Sequence, residues 1–174
     1  MKLSLLRHGE PVGGRIYRGN QDDPLTEKGW QQMLDASQNQ SWDLIVTSPL
    51  LRCQSFAQYL HQQLQSPLEI VDNFSELGFG DWQSQSSMQI GQDLVDAFKL
   101  NPIENKPPNA EDLYDFQHRV LNAFKIITAK NSKSVLIIAH AGVIRVIKSY
   151  LLNLPIEKMF TIDVLSASCE EFEI

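Results

Sequence analysis

A cation, an imidazole and a glycine stand together at Arg7-His8-Gly9, directly behind the leucine-rich run Lys2-Leu3-Ser4-Leu5-Leu6. Arg7 offers a planar fork of donors for an oxyanion, His8 a nitrogen able to act as a nucleophile near neutral pH, and Gly9 a backbone that can pass close to a ligand. A second imidazole, His140, ends the apolar run Val135-Leu136-Ile137-Ile138-Ala139 and is followed by Ala141-Gly142. Arg52 falls in the first turns of a helix, where positive charge already accumulates. An anion bound at that helix end would remove the conflict, and a solvated arginine is the equal alternative. Glu76 sits among Phe74, Leu77 and Phe79, an apolar setting that would suit a proton donor; a plain surface glutamate competes with that reading. Together these residues could bind an oxyanion, attack it and protonate what leaves.

Such side chains act together only if the fold gathers them. The residues before Arg7 predict a short buried strand, and the run ending at Ala139, apolar on both faces, predicts a central strand of a covered sheet. Strands of an open, mostly parallel α/β sheet deliver their last residues to the crevice at the sheet's carboxyl edge, so both imidazoles are offered at one edge. Residues 42–46 and 68–71 predict two further strands, and Thr161 to Ile174 a final strand closing the sheet. Pro11 to Pro24, rich in Gly, Pro, Asn and Asp, reads as a loop whose Arg15 and Arg18 either fold over a bound anion or stay solvated. Thr26 is the expected cap of a helix with Trp30, Met33 and Leu34 on one face. Ser48 as N-cap and Pro49 as first helical residue predict a helix to about Leu64, with Cys53, Phe56, Ala57, Leu60 and Leu64 inward. A weak helix is expected over Met88 to Lys99, followed by a Pro/Asn-rich surface excursion at 101–109. Leu113, Phe116, Val120, Phe124 and Ile127 repeat at helical spacing, as do Val143, Ile144, Val146, Ile147, Tyr150 and Leu151.

At 174 residues with an apolar fraction of 43%, the chain suits one domain, residues 1–174, with a sizeable core. A net charge of -6 leaves nothing global to recruit nucleic acid or an anionic membrane. Without a signal-peptide pattern or a bilayer-spanning apolar run, a cytoplasmic location is the expectation. Cys53 and Cys169 lack metal-ligand spacing and read as small buried hydrophobes, and the histidines are too scattered to argue for a metal.

Four ordered motifs now complete the pattern: Leu6-Arg7-His8-Gly9-Glu10, Thr47-Ser48-Pro49-Leu50-Leu51-Arg52, Glu76-Leu77-Gly78-Phe79-Gly80-Asp81-Trp82 and Ala139-His140-Ala141-Gly142-Val143-Ile144-Arg145. Their set and order resemble the histidine phosphatase superfamily, with its phosphoglycerate mutase-like fold. Gly13-Gly14-Arg15, Tyr17-Arg18-Gly19, Asp22-Asp23-Pro24-Leu25-Thr26 and Gly29-Trp30-Gln31-Gln32-Met33 are similar to the bacterial α-ribazole-5′-phosphate phosphatases of cobalamin synthesis within it. Pro11 and Gly14 replace the Thr and Asn of many members, and Asn109-Ala110-Glu111-Asp112 replaces a Gly-Glu-Ser stretch.

The resemblance implies a three-layer α/β/α sandwich and a metal-independent phosphomonoesterase with no cofactor. In it His8 would become a phosphohistidine, Arg7, Arg52 and His140 would surround the phosphoryl oxygens, and Glu76 would protonate the leaving alcohol. Arg15, Arg18 and Gly19 are further candidates for binding substrate, with Glu10 and Glu111 shaping the pocket. Phosphoryl transfer asks for alignment and dense positive charge, which fits this set, with His8 neutral, His140 charged and their pKa values pushed apart. The implied partner is a small phosphorylated substrate, with no nucleic acid and no membrane; a homodimer is left open. A phosphatase or mutase for another small sugar phosphate such as phosphoglycerate is the alternative, though the chain is short for a mutase, and a non-catalytic phospho-ligand module is the third reading.

Overall fold

Alternation along three short strands decides the architecture. In the computed structural model, which describes residues 1–174, strand β1 (Lys2–Arg7) turns Leu3 and Leu5 to one face and Leu6 to the other. Strand β2 (Leu44–Thr47) divides Leu44 and Val46 from Ile45, and β4 (Ser134–Ala139) divides Val135 and Ile137 from Leu136 and Ile138. A sheet apolar on both faces must be covered on both. Helices α1 (Glu27–Ser37) and α2 (Leu51–Leu64) supply Met33, Cys53, Phe56, Ala57 and Leu60 to the smaller core. Helices α5 (Leu113–Thr128) and α6 (Ala141–Leu151) supply Phe116, Phe124, Val143 and Ile147 to the larger one. The result is the expected three-layer α/β/α arrangement.

With β3 (Leu68–Ile70) and β5 (Cys169–Glu173), the sheet order is β3-β2-β4-β1-β5, and only β5 runs antiparallel. Arg7 pairs with Ala139 in register, and Thr47 with Ile138. The residues following β1, β4 and β2 therefore emerge side by side at one edge. The corner after β1 is pressed onto the start of α1 through two glycines: a methyl group on Gly9 would overlap the Gly29 carbonyl, and one on Gly29 the Glu10 carbonyl.

Several expectations need correction. Thr26 caps α1 as predicted, accepting from the Gly29 N–H at 2.9 Å. Ser48 does not cap α2, because the helix begins only at Leu51 with Leu50 as N-cap; Ser48 Oγ accepts from the Leu50 N–H at 3.3 Å, and Asp22 Oδ1 accepts from the Leu51 N–H at 2.6 Å. The helix expected over 88–99 is broken at Gly91, whose φ of 107° lies outside the helical region, giving α3 (Ser87–Ile90) and α4 (Gln92–Leu100). The closing strand is shorter than predicted, since residues 156–161 wind into a 3₁₀ segment and only Cys169–Glu173 pair with β1. Cys53 is buried, but Cys169, on an edge strand, is half-exposed. Tyr150 points outward at the end of α6. No helix is long and apolar enough to cross a membrane.

Candidate active site

Because β1 and β4 are neighbours in parallel register, His8 and His140 leave the sheet together, and their ring centroids lie 5.2 Å apart, edge to face. His8 is 6% exposed and His140 fully buried. The Nδ1 of His8 is 2.8 Å from the Gly9 carbonyl, which can only accept, so Nδ1 carries the proton. The lone pair of the neutral ring is thereby left on Nε2. The Nε2 of His140 is 2.6 Å from Ser48 Oγ, and the thiol of Cys53 packs 3.8 Å from the same nitrogen. Ser48 is thus a site residue that its helix-start pattern concealed.

Arg7 and Arg52 frame these rings. Arg7 donates through Nη1 to the Val164 carbonyl at 2.8 Å. Arg52, only 1% exposed, gives one N–H from each Nη to the carbonyls of Gln21 and Gly19. The Nε of each arginine is buried without a partner in the protein. Two buried guanidinium donors without partners are costly unless an acceptor reaches them. A phosphoryl oxygen has the required charge and lone pairs.

The other candidates are less direct. Arg18 spends Nε on Asp23 at 3.0 Å and Nη2 on the carbonyls of Val12 and Gly14 at 2.6 and 2.7 Å, fastening its own loop. Gly19 enters through the carbonyl that fixes Arg52, and Arg15 is exposed. Glu10 pairs with Lys28 at the surface. The loop is also tied to residues 84 and 85 through Tyr17 and Gln21. Arg145, part of the fourth motif, is half-buried on the ring of Phe160, and its charge interacts with those of Glu76 and Arg7.

Glu76 was expected in an apolar setting, and its carboxylate lies in a polar one. Phe74 and Leu77 are buried behind it, but Oε1 accepts from the Leu77 N–H at 2.9 Å and Oε2 from the Gly142 N–H at 3.1 Å. The second amide is in the first turn of α6, where the helix dipole favours a negative group. A methyl group on Gly142 would overlap the Glu76 carboxylate, so the Gly two residues after His140 is required by this approach.

Charge in the site also departs from expectation. Burial, reinforced by Arg52, Arg7 and Arg18, pushes His8 down to about 3 against the Gly9 carbonyl, which favours the charged form. His140 is lowered as well, by burial first and then by Arg52, His8 and Arg7, so the two imidazoles are not separated into one neutral and one charged. The cause is that both rings share the same low-dielectric, cation-rich corner.

A linkage follows from these shifts. Below pH 6.5 the unfolded histidines take up protons that the native rings refuse, so stability present above pH 6.5 is lost as pH falls toward 3. Between pH 6.5 and 5 the two buried rings should give the unfolding free energy a slope that steepens from about 1.4 to about 2.6 kcal/mol per pH unit. Urea unfolding in anion-poor buffer measures it directly, and a flat profile would show that the rings titrate normally.

A sheet edge that gathers two buried imidazoles, two buried guanidinium groups and a carboxylate suits the handling of a phosphoryl group, and similarity to known proteins gives the class. The pattern of the histidine phosphatase superfamily (branch 1) matches residues 3–174, and the chain belongs to that family. The adenosylcobalamin/alpha-ribazole phosphatase of Escherichia coli (strain K12) is 27% identical over 169 residues, covering 92% of this chain and 83% of that protein. The crystal structure of the alpha-ribazole phosphatase from Shigella flexneri superposes with a TM-score of 0.84 at 27% identity, covering 100% of this chain and 91% of that one. The 2,3-bisphosphoglycerate-dependent phosphoglycerate mutase of Rhizobium etli is 27% identical, covering 99% of this chain and 90% of that protein.

Proposed function

We propose that the protein is a metal-independent phosphomonoesterase working through a phosphohistidine on His8, with α-ribazole 5′-phosphate as substrate in cobalamin nucleotide-loop assembly. The observation that carries the chemistry is the fixed tautomer of His8, which leaves Nε2 unprotonated in a corner where the charges of Arg52 and Arg7 act on the ring. The substrate assignment is supported by the two alpha-ribazole phosphatase relatives.

The phosphoryl group binds between Arg7, Arg52 and His140. Its negative charge offsets the field that keeps His140 neutral, so His140 takes up a proton as the ligand enters. His8 Nε2 then attacks phosphorus, an N–P bond forms and the ester P–O bond breaks. The ester enters as its monoanion and passes its proton to the Glu76 carboxylate, from which the departing oxygen takes it. In the second half, water gives a proton to the Glu76 carboxylate and attacks phosphorus. The N–P bond breaks, and inorganic phosphate leaves with His8 restored. Two arginines and the charged His140 stabilise the equatorial oxygens throughout.

Steady-state hydrolysis in EDTA tests this reading, using α-ribazole 5′-phosphate beside sugar phosphates, 3-phosphoglycerate and an activated aryl phosphate. The expected result is a preference for the ribazole ester of at least tenfold in kcat/KM, a difference of about 1.4 kcal/mol at the transition state. Turnover of the aryl ester alone would discard the substrate and keep the chemistry. Isomerisation of 3-phosphoglycerate would favour the mutase reading, for which the Rhizobium etli relative argues.

A further inference from the structure

The segment carrying Glu76 has no regular secondary structure of its own, yet it must hold a carboxylate against a helix terminus. One side chain does most of this. Arg119, on the second turn of α5, has five N–H donors, and every one is committed. Nε donates to Glu111 Oε1 at 2.7 Å, and Nη1 to the carbonyls of Asn73 and Ser75 at 2.7 and 2.9 Å. Nη2 donates to the Glu76 carbonyl at 3.2 Å and to Glu111 Oε2 at 3.0 Å. Glu111 in turn grips the far side of Glu76, accepting from the Gly78 N–H at 3.1 Å and donating its own N–H to the Gly78 carbonyl at 2.9 Å. The guanidinium is backed by the ring of Phe116, 4.7 Å from its centroid.

We propose that Arg119 and Glu111 are positioning residues that set the proton-transfer geometry of Glu76, which rests on the role given to Glu76 above. Both side chains line a cavity of about 570 Å³ that Glu76 also borders and that contains no apolar side chain. With its donors spent on the protein, Arg119 has none to offer a ligand there, so it acts through Glu76 and not on substrate. A lysine, with three donors on a single nitrogen, cannot span carbonyls 73, 75 and 76 and both oxygens of Glu111.

The test compares kcat/KM, which reports the steps through phosphorylation of His8, for an alkyl phosphate and for an activated aryl phosphate that leaves without a proton. Arg119→Lys and Glu111→Gln are measured beside Glu76→Gln, with KM, kcat and melting temperature for each. Arg119→Lys is expected to lower the alkyl ester by about 10- to 100-fold and the aryl ester by less than about threefold, a selective loss that general softening of the fold does not produce. Glu111→Gln should show the same selectivity at smaller size. Equal losses on both esters, or none, in folded Arg119→Lys overturn the proposal when Glu76→Gln is selective. If Glu76→Gln itself is not selective, the role of Glu76 fails, and with it the basis of this assignment.

Discussion

His8→Ala should abolish turnover, by a factor on the order of 10⁴ or more, while the protein still folds. In the proposed mechanism the His8 imidazole is the nucleophile, and what remains after its removal is a cradle of cations able to bind the ester and to do little else. Its structural share is small. It donates one hydrogen bond, to the carbonyl of the adjacent Gly9, and it is held neutral in a corner where guanidinium groups oppose its protonation. A melting temperature within about 5 °C of wild type is therefore expected, together with no incorporation of acid-labile phosphate from labelled substrate. A variant melting far lower would make His8 a structural histidine. Retained turnover would place the nucleophile elsewhere.

Glu76→Gln should separate substrates by what leaves. Glutamine keeps the shape and can still accept from one of the two amides that hold the carboxylate, Leu77 or Gly142, but it has no proton to deliver. For an alkyl ester, whose oxygen departs poorly without a proton, kcat/KM is expected to fall by about 10²–10³-fold. For an activated aryl ester the loss should stay within a few-fold, because that oxygen departs as the anion. Dephosphorylation of His8 also calls on Glu76, as base, so kcat for both esters should fall and phosphoenzyme should accumulate. Equal losses in kcat/KM on the two esters would remove Glu76 from the acid's part.

Much of this site is written in local pattern. The two strands that end on imidazoles, the loop between Pro11 and Pro24, and the helices behind them are legible because burial imposes period 2 or period 3.6 on neighbouring residues. Arg7, His8, Arg52, Glu76 and His140 stand out because each breaks an apolar run or occupies a helix end. The misreadings arise where tertiary contacts override a local signal. Ser48 has the form of a helix cap, but its hydroxyl bonds to His140 across 92 residues of sequence, and a carboxylate from 29 residues upstream caps the helix in its place. Phe74, Leu77 and Phe79 suggested an apolar Glu76, yet side chains within one loop do not have to face the same way. Two imidazoles expected to divide into one neutral and one charged share one cation-rich corner in space. Arg119 gave no signal at all, since an arginine on an amphipathic helix reads as solvated until the loop it clamps is known.

The glycine contact between the corner after β1 and the first turn of α1 bears on attempts to make this enzyme more heat-resistant. Replacing glycine by alanine commonly raises stability by about 0.4–1 kcal/mol through the unfolded chain, and Gly29, in a helix, is the position a propensity-guided design would choose first. Here the added methyl would enter a backbone carbonyl, which cannot rotate aside as a side chain can, so α1 would have to lift off the nucleophile's own loop. Gly9 carries the same prohibition from the opposite side, and a methyl on Gly142 would displace the Glu76 carboxylate from the start of α6. A thermostabilised version should therefore keep all three glycines and take its gains from helix surfaces remote from the sheet edge.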